Sequence, residues 1–282
     1  MSKTLTIRYT SDTHGYLYPT SYADMQDRPM GLMKLASEYP HDGNTLIIDG
    51  GDTIQGSPLT NLYQRLSPEE KAACLTEDTY GTHPIAAMMN LAGYQFVTLG
   101  NHDFNYGVDA LLDYLTNLDA LCLCANIRDK EGRLPIAPYA VHQLENGLRV
   151  GLVGVCTHFV RRWENPKTVE QLVIEEPVPA AKAALEAVKP LCDLTVLIYH
   201  GGFECDLETG KPLTASAENQ ACRMCRELGF DLVLTGHQHM RVDGVHFGNS
   251  FAVQPSYRAP HCCGVTVTVE DDGSKRFESR II

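Results

Sequence analysis

Missing from the 282 residues is any run of eighteen apolar side chains, so no segment has the length and composition of a membrane-spanning helix. Positive charge is also short. The 23 lysines and arginines face 35 aspartates and glutamates, a formal −12 that argues against affinity gained by wrapping nucleic-acid phosphates. Any phosphate handled here must meet positive charge supplied locally. No internal repeat, low-complexity tract or Gly/Ser/Pro linker divides the chain, which argues against a repeat array and predicts one domain over 1–282. Nor does a second CxxC stand near Cys222 and Cys225, so a four-cysteine zinc site has no basis, and the helical surroundings "ACRMCREL" assign the pair to packing. The start, "MSKTLTIRYT", reads as a strand and not as a charged leader with an apolar stretch behind it. With ten cysteines and no leader, the expectation is free, mostly buried thiols in a reducing, cytoplasmic compartment and no membrane partner.

What is present is a core-forming sequence, 44% hydrophobic, in which short β-rich runs alternate with helical patterns. "LTIRYT" (5–10), "TLIID" (45–49), "QFVTL" (95–99), "LCLCAN" (121–126), "LRVGLVGVC" (148–156), "CDLTVLIY" (192–199) and "DLVLT" (231–235) read as strands. Helices are predicted near 31–38, 83–91, 107–117, 179–188 and 215–228, and a helical surface excursion over 59–82. This is an α/β rhythm; the last stretch, with strands alone near 250–254, 262–269 and 276–282, suggests a mixed or doubled sheet.

Five of the strands end alike. "IRYT" runs into "SDTHG" with Asp12 and His14, "TLIID" into "GGD" with Asp52, "QFVTL" into "GNHD", "TVLIY" into "HGG" with His200, and "DLVLT" into "GHQH" with His237 and His239. In α/β folds ligands sit beyond strand carboxyl ends, so five such ends can converge on one place. Each motif alone is weak: a single histidine after a strand is commonly a hydrogen-bonded structural residue, and Asp-x-His can be only a turn. Taken together, Asp12, His14, Asp52, Asn101, His200, His237 and His239 form a cysteine-free donor set suited to divalent Mn, Fe, Zn, Co or Mg. Seven ligands exceed what one ion takes and fit two ions sharing a bridge.

The order Asp-x-His, Gly-Asp, Gly-Asn-His-Asp, His, Gly-His-x-His resembles the calcineurin-like metallophosphoesterase superfamily. "GGDTIQGSPL" (50–59), "HPIAAMMNLAGYQFVTLGNHDFNYGVDAL" (83–111) and "CANI" (124–127) are similar to the catalytic domain of the 5'-nucleotidase and 2',3'-cyclic-nucleotide 2'-phosphodiesterase family. That resemblance implies an α/β fold, a two-sheet αββα sandwich with the metals at strand carboxyl ends. It implies one ion held by Asp12, His14, Asp52 and His239 and a second by Asp52, Asn101, His200 and His237, with Asp52 as the bridge. Two divalent cations would then carry a bridging hydroxide as nucleophile on a small phosphate ester of nucleotide type. His102 would face the substrate as catalytic residue, stabilising charge or protonating the departing oxygen, with Asp103 as its supporting acid.

Two departures from the family pattern bear on this. The nucleotidase branch carries an aspartate where this chain has Asn105, and "NHDFNYG" resembles the cyclic phosphodiesterase branch instead. Asp103 and Gln55 are then the local candidates to partner His102, and Asn105 becomes a candidate substrate contact. The family's usual C-terminal substrate-binding domain is also not expected within a sequence that stops at "ESRII", which predicts weak nucleobase preference. Arg161, Arg162, Arg241 and Arg258 are candidate phosphate contacts, Arg258 foremost, and His261 a candidate support for the ligands. The charge and "GDTIQGSPL" weigh against a nuclease acting on polymeric nucleic acid, and the missing Gly-Asp-x-x-Asp-Arg-Gly weighs against a protein phosphatase. A catalytically silent metal-binding module is the non-enzyme alternative, disfavoured by His102 beside a full ligand set.

Overall fold

A computed structural model describes residues 2–73 and 83–282. The strands, in chain order, are β1 (Lys3–Thr10), β2 (Thr45–Asp49), β3 (Phe96–Val97), β4 (Leu121–Leu123), β5 (Ile127–Asp129), β6 (Ile136–Ala137), β7 (Tyr139–Gln143) and β8 (Arg149–Cys156). They continue with β9 (Leu172–Ile174), β10 (Leu194–His200), β11 (Leu232–Thr235), β12 (Arg241–Phe247), β13 (Ser250–Pro255), β14 (Cys263–Val269) and β15 (Lys275–Ile281). One sheet runs β15-β14-β1-β2-β3-β4-β6, the other β12-β13-β11-β10-β8-β7, and β5 pairs with β9 apart from both. In the first sheet β1, β2, β3, β4 and β6 are mutually parallel, and in the second β8, β10, β11 and β13 are; the antiparallel pairs are at the margins.

Side-chain alternation explains why the sheets stack. Leu46 and Ile48 of β2 face Leu152, Val196, Ile198 and Leu234 of the other sheet in a shared central core, while Ile47 turns the opposite way. There it meets Leu35, Met89 and Leu111 from the helices Leu32–Ala36, Pro84–Leu91 and Val108–Thr116. On the far side of the second sheet, Val153, Leu197 and Val233 are covered by Ala181 and Leu185 of helix Pro177–Val188 and by Met224 of helix Ala221–Glu227. The layers are helix, sheet, sheet, helix, an αββα sandwich. Each fully buried aliphatic side chain in the three clusters contributes about 1.5–3 kcal/mol. Among the described residues no helix is long and apolar enough to cross a membrane.

Several local expectations shift. The strand within "QFVTL" is Phe96–Val97; the flanking Gln95 and Thr98 N–H groups still bond to Ile47 O and Asp49 O of β2, and Leu99 leads into the loop that packs against Gly51. The helix expected over 215–228 begins at Ala221, since Asn219 turns its side chain onto the N–H of Gly202. Strand β12 was not expected: its residues are mostly exposed and a register shift between Val242 and Val245 breaks the alternation. Of the excursion over 59–82, helices Pro58–Arg65 and Pro68–Ala73 are seen, and residues 74–82 lie outside the described residues. The expectation of free thiols needs correcting too. Cys222 is bonded to Cys205, with Cα atoms 6.2 Å apart, because the turn after β10 returns onto the start of helix Ala221–Glu227. Cys225 remains a buried free thiol in the outer core.

Candidate metal centre

The strand-end loops are laced to one another. Asp12 N–H donates to Gly51 O at 2.9 Å, His14 N–H to Asp52 O at 2.9 Å, and the His237 N–H to both oxygens of Asp12 at 3.1 and 3.0 Å. The His102 N–H donates to Asp52 Oδ1 at 2.7 Å. Glycine permits the closest contact: a Cβ on Gly51 would stand 2.3 Å from Gly100 N, and one on Gly100 would stand 2.1 Å from Asp52 Oδ1. Asp12, His14, Asp52, His237 and His239 all have left-handed backbone, with φ of 55°, 51°, 57°, 70° and 58°. For residues other than glycine that conformation costs about 1–2 kcal/mol each, and such strain gathers at functional sites.

Asp103, grouped with the catalytic residues as the acid supporting His102, occupies a different place. Its Oδ2 accepts from Gly100 N–H at 2.8 Å and Asp52 N–H at 2.9 Å, its Oδ1 from Thr53 N–H at 2.8 Å and Ile54 N–H at 3.0 Å. Buried and occupied on both oxygens, it clamps the Asp52 loop to the Asn101 loop and has no bond to the His102 ring. Burial and the charge of Asp52 push its pKa up, against the pull of the N–H donors.

Two groups of side chains come together. Asp12, His14 and His239 form one, Asp52, His200 and His237 the other, each offering ligand atoms within 4.8 Å of one another. In the first, His14 Nδ1–H donates to Gln55 O at 2.9 Å, so its Nε2 faces His239 Nε2 at 3.1 Å as a lone pair. Gln55, a candidate partner of His102, thus serves His14 through its backbone. In the second, His200 Nδ1–H donates to Gly50 O at 2.7 Å, and its Nε2 lies 3.2 Å from Asp52 Oδ2 without the alignment of a hydrogen bond. Asn101 Oδ1 is likewise buried and has no hydrogen-bond partner. A buried polar atom without a partner is costly, and Asn101 Oδ1 and the His200 Nε2 beside Asp52 are both of the type that ligates a divalent cation.

The electrostatics favour a cation in the same place. Burial would lower the His200 pKa, but the charges of Asp52 and Asp12 lift it to about 10. Burial would raise Asp52, yet the neighbouring His200 charge brings it well below the ordinary carboxylate range. Asp12 is lowered too, burial being outweighed by the hydrogen bond from His239 and the His200 charge. In the metal-free protein a proton on His200 takes the part of the cation. His237 Nε2–H donates to Glu218 Oε1 at 2.7 Å, which leaves Nδ1 as its free ring nitrogen. The donor set therefore fits divalent ions: neutral imidazoles, carboxylates and one amide oxygen, several of them oriented by carbonyls or a carboxylate.

A family model described as calcineurin-like phosphoesterase matches residues 5–241. The chain belongs to that family. Its relatives include the trifunctional nucleotide phosphoesterase protein YfkN of Bacillus subtilis, 28% identical over 250 residues that make up 83% of this chain and 16% of that protein. The 2',3'-cyclic-nucleotide 2'-phosphodiesterase/3'-nucleotidase of Salmonella typhimurium is 26% identical, with 87% of this chain and 38% of that protein covered. The 5'-nucleotidase of Rattus norvegicus is 28% identical, with 96% and 43% covered. This phosphoesterase chain thus spans less than half of the length of these curated relatives. Among solved structures, a candidate 5'-nucleotidase from Staphylococcus aureus superposes with a TM-score of 0.86 at 29% identity, over 99% of this chain and 54% of that one. The curated relatives are named as nucleotide phosphoesterases, phosphodiesterases and nucleotidases, and the family is one of metal-dependent phosphoesterases.

Around the two groups lie residues of mixed interest. The His102 ring is 5.4 Å from that of His14, and a cavity of about 380 Å³ lies over Asn101, His102, Trp163, Glu218 and His237. Trp163 stacks on His237, and Tyr257 stacks on His239 at 4.4 Å between centroids. Asn105, expected as a substrate contact, has its Oδ1 2.7 Å from His102 Nδ1 and its Nδ2 on Glu164, so both polar atoms are engaged within the protein. Arg258 lies over the Tyr16 and Tyr257 rings beside the first group, and its N–H holds Asp12 O. Arg241 pairs with Asp243 at 2.7 Å on the surface. Arg161 and Arg162 lie on the surface helix Val160–Trp163, Arg162 over Phe159. The charged neighbours of His261 include Arg241, Lys34 and Asp243. Glu164, Glu218 and Trp163 had no signal in the sequence: "RRWENP" and "SAENQ" read as ordinary surface.

Two outcomes test this geometry. Asp103→Asn, which turns an amide donor towards two backbone N–H groups, should destabilise the metal-free protein by on the order of 4 kcal/mol in chemical denaturation. Loading with Mn or Zn at pH 8 should release a proton from His200, since the ligand is the neutral ring and the metal-free pKa is about 10. Release in weakly buffered solution should fall by about one proton per chain in His200→Asn, whereas His102→Ala should bind the same metal content as the parent by elemental analysis.

Proposed function

We propose that this chain hydrolyses nucleotide-type phosphate esters, 2',3'-cyclic nucleotides foremost. The observation that carries the reading is the pair of His/Asp groups beside His102, whose Nδ1 meets a neutral amide, Asn105, in place of a carboxylate. Asp12, His14, Asp52 and His239 would hold one divalent ion, and Asp52, Asn101, His200 and His237 a second. When bound, such ions supply positive charge to the phosphoryl oxygens and acidify water at the site.

The rest falls to the protein. Asn105 Oδ1 accepts from Nδ1–H of His102, which leaves Nε2 as the nitrogen open to the cavity; a second proton, taken from water onto Nε2, makes the ring an imidazolium that passes this proton to the departing oxygen and returns to the neutral Nδ1–H form. Proton transfer of this kind is worth about 10²- to 10⁴-fold. A 2',3'-cyclic phosphate carries one negative charge, and its leaving oxygen stays tethered to the ribose, so it asks less grip than a dianionic monoester. The cyclic phosphodiesterase of Salmonella typhimurium, similar over most of this chain, supports that choice. Trp163 is 45% exposed on the cavity wall and offers ring surface to any base; stacking discriminates weakly between bases. A second reading, a 5'-nucleotidase-type monoesterase, is favoured by the likeness to the Rattus norvegicus protein.

The test is a substrate panel on purified chain loaded separately with Mn, Co, Zn and Mg. Turnover of 2',3'-cyclic AMP, 2',3'-cyclic UMP and bis(nitrophenyl) phosphate is expected, with at most about a fivefold difference between the two bases, or about 1 kcal/mol. His102→Ala should lose at least about 100-fold in kcat. Hydrolysis of 5'-AMP without any diester cleavage would transfer the assignment to the second reading, and a fully loaded chain inert on all four would mark a metal-binding module.

A further inference from the structure

Glu164 is a buried carboxylate, 8% exposed, at the end of helix Val160–Trp163. Its backbone N–H is bonded to Val160 O at 3.0 Å, and the next residue, Asn165, caps the helix Pro166–Val169. Among the described residues no lysine or arginine pairs with its side chain; the side chain it meets is that of Asn105, 59 positions away, whose Nδ2 donates to it, and the backbone N–H of Asn165 bonds to it as well. A buried carboxylate without a cation is costly, so its place calls for a reason beyond packing. The reason lies in the amide. Asn105 has a carbonyl end and an NH₂ end of nearly equal size, and by itself it can face His102 either way. An ionised carboxylate only accepts, so with Glu164 on one side the NH₂ is turned towards it and the carbonyl towards His102.

We propose that Glu164 is a positioning residue for His102. By fixing the Asn105 amide it sets the proton on Nδ1 of the imidazole and leaves Nε2 for the substrate. In the order His102, Asn105, Glu164 an acid stands behind the amide that meets the histidine, where the sequence offered Asp103 or Gln55 as the direct partner. This inference rests on the proposed function only for its catalytic consequence; the tautomer it assigns belongs to the free protein.

The experiment has two arms. In the first, metal-free protein carrying ¹⁵N-histidine is observed by long-range nitrogen–proton correlation at pH 8, with His102→Ala used to assign the His102 signals among the eleven histidines. The parent should show the Nδ1–H form, and Glu164→Ala should move His102 to the Nε2–H form or a mixture. In the second, the metal-loaded proteins are compared on the substrate the parent cleaves best. Glu164→Ala should lose about 10- to 100-fold in kcat with less than a threefold change in KM and unchanged metal content. The double variant N105D/E164Q turns the polarity round, a carboxylate now accepting from His102 and from the Gln amide, and should regain at least tenfold of that loss. An unchanged tautomer in Glu164→Ala, or a double variant that is folded, metal-loaded and no better than Glu164→Ala, would overturn the proposal. Should the parent cleave no phosphate ester, the functional reading falls, and the first arm still decides whether Glu164 sets the ring.

Discussion

The carboxylate of Asp103 holds four backbone N–H groups from two loops, and the geometry of the whole centre hangs on that clamp. It binds the turn after β2 to the turn after β3, and through that contact Asp52 is brought under the N–H of His102. Glycines at 51 and 100 are required there because the two backbones pass closer than any Cβ allows. A buried charge of this kind is tolerable only when its acceptor sites are filled, and filling them from two separate loops makes the loops rigid with respect to each other. Rigidity in turn lets left-handed backbone persist at Asp12, His14, Asp52, His237 and His239.

The same centre is electrostatically unbalanced without a cation. Two aspartates with lowered pKa values, a histidine raised to about 10, two facing imidazole nitrogens and an orphaned amide oxygen sit within one set of interlaced loops. Protons can supply the missing positive charge, and metal ions would do so with fixed ligands, so acid and metal compete for the same side chains. The acidic chain as a whole repels phosphate, which makes local cations the means by which a phosphate ester would be drawn to these strand ends.

Around the ligands, orientation is set from outside the motifs. Gln55 O and Gly50 O fix the tautomers of His14 and His200, Glu218 that of His237, and Glu164, by way of Asn105, faces His102. Carbonyls and carboxylates in this role decide which ring nitrogen is presented, and ring choice governs both ligation and proton transfer. The aromatic covers, Trp163 on His237 and Tyr257 on His239, hold the ring planes.

The α/β rhythm, most strand positions and the chemistry of the strand ends were readable from the chain, because period-two apolar runs and the Gly, Asp and His residues that end them are local signals. The same holds for Asn105, whose departure from an acid is visible in nine residues, "LGNHDFNYG". Other features depend on contacts across the fold and leave no local trace. Asp103 looks like the supporting acid of His102 in sequence and is a clamp in space, since only tertiary structure brings the N–H groups of residues 52 to 54 to it. Glu164 meets Asn105 across 59 positions, and Cys205 meets Cys222 where a returning loop closes on a helix. Strand β12, short of apolar residues and broken by a bulge, is held by pairing with β13 and by contacts from β15, where Ser279 Oγ donates to Asp243 O and Phe277 meets the His246 ring. Sequence thus determined which chemical groups stand at the strand ends, because residue type and local period are carried by the chain itself. Tertiary structure decided which of them touch, and so which act and which support, because hydrogen-bond partners and burial are properties of separate segments brought together.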